Sequence, residues 1–275
     1  MLKVPDIVPC YGLTKDPSSK NYMLVMNKAN TDLRTYLQQK HNKLTWTERI
    51  KIAFDIILAL VRIHGENAIH RDLHSGNILF NHIDQRFEIS DLGFCGPADK
   101  SSKSIYGNLP YIAPEVITGK ETTKASDIYS IGILMWEISS GQPPFINKHN
   151  YDLTIKIING MRPKVMPGTP SEYKELMEQC WDADPTKRPD IRTLRNKFAE
   201  IRKLSYQSEE QILNNNTNTN KNTNNIQFNA TFNISSSGSS SSSINSFFNS
   251  SSSRVYNFKN LRNLLPRNAT NGKYY

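Results

Sequence analysis

After Leu204 the chain changes character. Residues 205–275 hold 17 Asn and 15 Ser among 71 positions, with almost no repeating aliphatic pattern. Such a segment cannot bury enough apolar surface to offset the entropy of ordering its backbone. Residues 205–275 therefore read as a disordered tail, and the foldable part as residues 1–204. The tail reads as an inert spacer or as low-complexity sequence that self-associates. Its stretch Tyr256–Leu265 sets aromatic and aliphatic residues among Lys259 and Arg262, a pattern for a short basic helix docking on a partner.

The net charge of +9 is shared between the two parts, because the tail sets six basic residues against Glu209 and Glu210 and leaves +5 to the body. Without a clustered basic face or a stacking motif, that balance gives no reason to expect a nucleic-acid partner. Cys10, Cys95 and Cys180 are far apart and lack metal-ligand spacing, which reads as reduced thiols. The N-terminal residues Met1–Asp6 contain no apolar run of signal-peptide length, and the longest apolar stretch, 52–63, is interrupted by Asp55 and Arg62. The expectation is a protein with no membrane association, cytoplasmic or nuclear in location.

Within the body, Ile7–Tyr11 and Tyr22–Met26 read as strands joined by the turn at Thr14–Ser19. Asp32–Gln39 is a short helix, and Thr45-Trp46-Thr47-Glu48 is a capping box opening a longer one. In that helix Ile52, Ala53, Ile56, Ile57, Leu60 and Val61 recur at helical spacing, which predicts deep burial. Ile78–Phe80 and Phe87–Ile89 form a second hairpin. Ile128–Ser139, apolar nearly all round and followed by Gly141, predicts a central helix with a glycine cap. Three amphipathic helices follow at Tyr151–Asn159, Glu172–Trp181 and Ile191–Leu204.

Chemistry concentrates at His70-Arg71-Asp72-Leu73-His74-Ser75-Gly76-Asn77 and at Asp91-Leu92-Gly93. Downstream stand Tyr111-Ile112-Ala113-Pro114-Glu115, Ser126-Asp127-Ile128-Tyr129-Ser130-Ile131-Gly132 and Asp184-Pro185-Thr186-Lys187-Arg188-Pro189. Any one of these is a weak signal, and five in this order are a specific one. Together they resemble the eukaryotic protein kinase family, of Ser/Thr type and from the tyrosine-kinase-like group. The resemblance implies an α+β, protein-kinase-like fold, mainly the α-helical large lobe with the end of the small-lobe sheet. In domain terms, residues 1–30 would be a remnant of the small lobe, 31–204 the large lobe and 205–275 the tail.

The same resemblance implies ATP and Mg²⁺ as cofactors and protein Ser/Thr hydroxyls as phosphate acceptors in signal transduction. Asp72 would be the catalytic base, with Asn77 and Asp91 as metal ligands. Arg71 would await a phosphate on the activation segment, where Ser101, Ser102, Ser104 and Tyr106 are the candidate acceptors for an upstream kinase. An exposed Ser/Lys loop without a regulatory role is the other reading of those four. Asp127 would accept backbone hydrogen bonds from the catalytic loop, and Glu115 would pair with Arg188. Tyr22–Ala29 is similar to the strand and hinge that meet adenine. That places Met26 as gatekeeper, Asn27 and Ala29 as hinge contacts, Leu79 as pocket floor and Asp32 toward the ribose. For Met26 and Leu79 ordinary core packing is the alternative.

Departures from the family pattern are specific. His74 stands where Ser/Thr kinases usually carry a Lys, Leu92 replaces a Phe, and Asn108 stands where a hydroxyl residue is usual. No glycine-rich loop precedes the first strand and no Val-Ala-x-Lys strand is present, Gly12 being the sole glycine before Gly65. A kinase domain that begins just before the fourth small-lobe strand fits this pattern. A catalytically inactive kinase-like module that binds proteins fits it too. Either form should expose apolar surface where the rest of the small lobe would pack.

Overall fold

The computed structural model describes residues 6–98, 105–146, 150–221 and 254–256. Strands β1 (Cys10–Lys15) and β2 (Tyr22–Met26) pair antiparallel. Asp16 closes their turn, its carboxylate accepting from the Ser18 amide at 2.9 Å and the Ser19 hydroxyl at 2.6 Å. The first strand thus begins three residues later than the pattern at Ile7–Tyr11 predicts. Pro9 offers no amide to a ladder, and the two residues before it are drawn elsewhere. Ile7 bridges Ile89, and the Val8 amide donates to the Ile89 carbonyl at 3.0 Å.

Short strand β3 (Thr31–Asp32) leads into α1 (Leu33–Lys40), and α2 (Trp46–Gly65) follows. The capping box of α2 is formed as expected: Thr45 Oγ1 accepts from the Glu48 amide at 3.2 Å, and Glu48 Oε2 accepts from the Thr45 amide at 2.7 Å. Beyond α2 come β4 (Ala68–Ile69), β5 (Ile78–Asn81), β6 (Arg86–Ile89) and β7 (Gly96–Pro97). A three-stranded sheet runs in the order β3-β5-β6, and β4 pairs with β7. β8 (Ile105–Gly107), α3 (Pro114–Ile117), α4 (Lys124–Ser140), α5 (Asn150–Ile158), α6 (Ser171–Cys180), α7 (Ile191–Lys221) and β9 (Arg254–Tyr256) complete the chain, with β8 and β9 paired antiparallel.

Helices α2 and α4 form the centre of the core, as their apolar patterns require. Every residue of α4 from Ser126 to Ser140 is buried. Gly132 lets α4 close on the end of α6, since a Cβ there would lie 3.0 Å from the Trp181 backbone nitrogen. Gly141 ends α4 in the left-handed conformation at φ +71°, the glycine cap the sequence predicts. Helices packed beside small antiparallel sheets make this an α+β fold, the class that the resemblance implies.

The expectation that helix ends at Leu204 and disorder begins at residue 205 is corrected by α7, which continues to Lys221. The apolar stripe stops near Leu204, and contacts of other kinds lie on either side of that point. Arg202 lies over Phe54 of α2, 4.9 Å from the ring centroid, and over Tyr206 at 5.5 Å. The Ser205 and Ser208 hydroxyls donate to carbonyls of the preceding turn. A second correction is that residues 254–256 of the same tail form strand β9.

Candidate active site

The loop after β4 is anchored from outside first of all by one carboxylate. Asp127, in the first turn of α4, accepts from the His70 amide at 2.9 Å and the Arg71 amide at 3.0 Å. Its Oδ2 also meets His64 Nε2 at 2.9 Å. Two backbone amides aimed at one buried carboxylate fix the path of the chain through Arg71, which sits at φ +74°. A non-glycine residue in that region is costly and persists only where its surroundings impose it. His70 is wholly buried with Nε2 at 3.0 Å from the Ser90 carbonyl, a supporting role.

The three groups singled out as catalytic are brought together here. The Asn77 side-chain nitrogen donates to the Asp72 carbonyl at 2.9 Å and approaches Asp72 Oδ2 at 3.4 Å. The Asn77 carbonyl accepts both the Ser90 amide at 2.8 Å and the Ser90 hydroxyl at 2.9 Å. Asp91 follows directly, in the left-handed conformation at φ +54°, with Oδ1 accepting from the Gly93 amide at 3.2 Å. One hydrogen-bonded frame thus runs from Asp72 through Asn77 to the strand end that carries Asp91. Asp72 and Asn77 are buried and Asp91 is exposed.

Two basic side chains flank Asp72. His74 Nε2 lies 3.7 Å from Asp72 Oδ1, while His74 Nδ1 accepts from the Gly76 amide at 3.1 Å. Burial, helped by the nearby Arg34 and His70 charges, pushes the His74 pKa down to about 4, so the imidazole is neutral near pH 7. The Arg71 guanidinium donates to the Pro97 carbonyl at 3.1 Å and reaches the Phe94 carbonyl at 3.5 Å. Gly96 makes room for it, since a Cβ there would fall 2.8 Å from Arg71 Nη1.

On the other side, Asp32 and Leu79 face each other across the β3–β5 ladder. The Asp32 carboxylate caps α1, accepting from the Thr35 amide at 3.0 Å and the Thr35 hydroxyl at 2.8 Å. The ribose-facing group of the sequence reading therefore already has a local structural task. Leu79 is half-buried, Met26 is exposed, and Asn27 accepts from the Tyr11 hydroxyl at 3.0 Å beside half-buried Ala29. Met26 is thus not core packing within this chain. Ser101, Ser102 and Ser104 lie outside the described residues. Tyr106 falls within β8.

Comparison with known families matches residues 1–198 to the model described as protein tyrosine and serine/threonine kinase. The chain belongs to the protein kinase family. It is 37% identical over 177 residues to the dual serine/threonine and tyrosine protein kinases of Mus musculus and Homo sapiens, and 36% identical to that of Danio rerio. Each alignment covers 62% of this chain but only 18–19% of the relative, so the chain spans under a fifth of these proteins.

Two buried ionic clusters brace the kinase loops. Glu115 and Arg188 form the expected pair, bidentate at 2.7 Å and 2.7 Å, and Arg188 also donates to the Asp182 and Ala125 carbonyls at 2.9 Å each. The second cluster escaped the sequence reading. Glu137 of α4 accepts from the Ser75 hydroxyl at 2.8 Å and from the Tyr111 hydroxyl, while Arg34 of α1 reaches Glu137 at 3.4 Å, Ser75 at 3.1 Å and Tyr111 at 3.2 Å. Burial raises the Glu137 pKa and holds the Tyr111 phenol well above its usual value. The available signal was a lone Glu inside an otherwise apolar helix, since such a charge must find a partner.

Among the described residues no helix is long and apolar enough to cross a membrane. The three cysteines are free thiols, with Cys180 buried.

Proposed function

We propose that this chain supplies the large-lobe half of a protein kinase site that transfers the γ-phosphate of ATP to hydroxyls of protein substrates. The observation that carries the reading is the frame joining Asp72, Asn77 and the strand end before Asp91. Phosphoryl transfer asks little covalent chemistry of the protein and much positioning. Asp72 would hold the proton of the attacking hydroxyl. With its amide nitrogen committed to Asp72, Asn77 keeps its Oδ1 as the group to offer a cation. That oxygen and the Asp91 carboxylate are hard donors suited to Mg²⁺, whose remaining positions go to waters and phosphate oxygens. The cation would neutralise charge on the transferring phosphoryl group when bound. Leu79, the hinge residues Met26, Asn27 and Ala29, and Asp32 would meet the nucleoside, and Arg71 a phosphorylated activation segment.

Ser/Thr specificity is the reading we favour, because Gly107-Asn108-Leu109-Pro110-Tyr111 looks more like the corresponding stretch of Ser/Thr kinases than that of tyrosine kinases. The matched relatives, named as dual serine/threonine and tyrosine kinases, make Tyr hydroxyls the competing acceptor. An upstream kinase acting on Ser101, Ser102, Ser104 or Tyr106 and a cytoplasmic location complete the proposal. So does the division into residues 1–30, residues 31–204 and a tail, with the last helix of the large lobe now running to Lys221. A second reading, a kinase-like protein-binding module without transfer activity, is favoured by His74. A neutral imidazole beside Asp72 replaces the lysine that would stabilise the transferring phosphoryl group.

The deciding experiment is thermal shift with ATP, with and without Mg²⁺, on this chain and on Asp91→Ala. A Mg²⁺-dependent rise in melting temperature that the substitution abolishes is expected. No rise in either protein would refute a nucleotide site on this chain and leave the binding-module reading.

A further inference from the structure

We infer that the outer edge of β8 is a docking edge for an extended peptide, and that residues 254–256 of the same chain occupy it and close the approach to Asp72. What is closed rests on the kinase reading above. The occupancy itself does not. β8 and β9 pair antiparallel, with Ile105 opposite Tyr256, Tyr106 opposite Val255 and Gly107 opposite Arg254. Among the described residues their sheet has only these two strands, so without β9 that edge of β8 would present open amides and carbonyls. Such an edge is a template for an added strand.

The position of that edge gives the pairing its meaning. Gly107 ends β8 at φ +124°, and a Cβ there would lie 3.1 Å from Asp72 Oδ1. The backbone at Gly107 therefore rests directly against the proposed base. Its ladder partner is Arg254, and paired residues in an antiparallel ladder stand about 4.5–5.5 Å apart at Cα. The tail thus crosses one strand spacing from the residue that touches Asp72. On the kinase reading, a protein substrate that delivers a hydroxyl to Asp72 would enter beside this strand, and the tail would compete with it.

The occupant is read from the pairing itself, and its sequence is compatible with a strand, since Val255 and Tyr256 supply a β-branched and an aromatic residue in succession just after the run Ser250–Ser253.

The test uses the full chain and a variant carrying Arg254→Pro with Val255→Pro. Successive amides of a strand point to opposite sides, so one of these two must face β8 and is removed whichever it is. Two readouts are taken, neither needing catalysis: hydrogen exchange at amides 105–107, and fluorescence polarisation with a labelled synthetic peptide of residues 250–260. Exchange should accelerate in the variant, and the peptide should bind it about tenfold more tightly than the unaltered chain, because a tethered competitor acts at an effective concentration on the order of millimolar. Unchanged exchange and equal peptide binding would overturn the proposal. Protection that fades on dilution would overturn occupancy within one chain, since it would mean pairing between copies. If both readouts come out as expected and no phosphate is transferred by either protein, the docking edge stands and the kinase reading fails. If phosphate is transferred and both readouts stay flat, the docking edge fails alone.

Discussion

Replacing Glu115 with alanine tests how the buried ion pair holds the large lobe. The Arg188 side chain is fully buried and directs two nitrogens to the Glu115 carboxylate at 2.7 Å. Removing the carboxylate leaves a buried cation without its counter-charge, a change that costs about 3–5 kcal/mol. Two hydrogen bonds survive, to the carbonyls of Asp182 and Ala125, and the guanidinium still lies over the Tyr129 ring. Those contacts place the expected loss at the low end, about 3 kcal/mol. For a domain of this size, 1 kcal/mol corresponds to about 2–4 °C in melting temperature, so the drop should be about 6–12 °C by calorimetry. The argument also fixes the sign of a rescue. Glu115→Leu combined with Arg188→Met removes both charges and should recover most of the loss, because a buried pair replaced by apolar groups is often neutral or better. A single substitution that shifts melting by under about 2 °C, or a double variant no better than Glu115→Ala, would refute the reasoning.

Two further outcomes follow from the same structure. The His74 pKa falls from 6.5 to about 4 on folding, so between those values the unfolded chain binds more protons than the folded one. Stability from this group is complete above pH 6.5 and is lost as pH falls toward 4, by about 3 kcal/mol in all; urea midpoints at pH 7.5 and 5 should show the decline, and His74→Asn should flatten it. At Gly141, φ +71° disfavours any side chain and a Cβ would strike the His41 ring at 2.2 Å. Gly141→Ala should therefore lower stability by more than the roughly 1 kcal/mol of a strained cap alone, with His41→Ala in the same chain restoring part of it in chemical denaturation.

Much of this was legible in the sequence because local rules and global packing agree. The capping box at Thr45 and Glu48, the largely apolar α4 and its glycine cap each rest on residues within one or two turns, and each formed as read. Asp127 and Glu115 have the partners that the kinase resemblance implied, which no local rule would have supplied. The failures have a common cause in contacts made over distance. Ile7 and Val8 look like the start of a hairpin strand, but Ile89 claims them. α7 runs past the end of its apolar stripe to Lys221, an extension no local pattern marks. Nothing near Arg34 announces that it will meet Ser75, Tyr111 and Glu137 in one buried cluster. β9 pairs with a strand well over a hundred residues earlier, which no local pattern reveals.

The dependence of the loop from His70 to Asn77 on Asp127 also has a kinetic side. His70 and Arg71 must wait for a carboxylate more than fifty residues further along the chain. The loop cannot take shape during synthesis until α4 has been made and has settled against α2. Closing so long a loop is entropically costly and pays back only when the distant contact forms. The amides of His70 and Arg71 should consequently exchange with solvent only when the whole lobe opens, as members of its most stable cooperative unit. In this chain the geometry of the loop and the integrity of the core are a single transition, so an assay of one reports on the other.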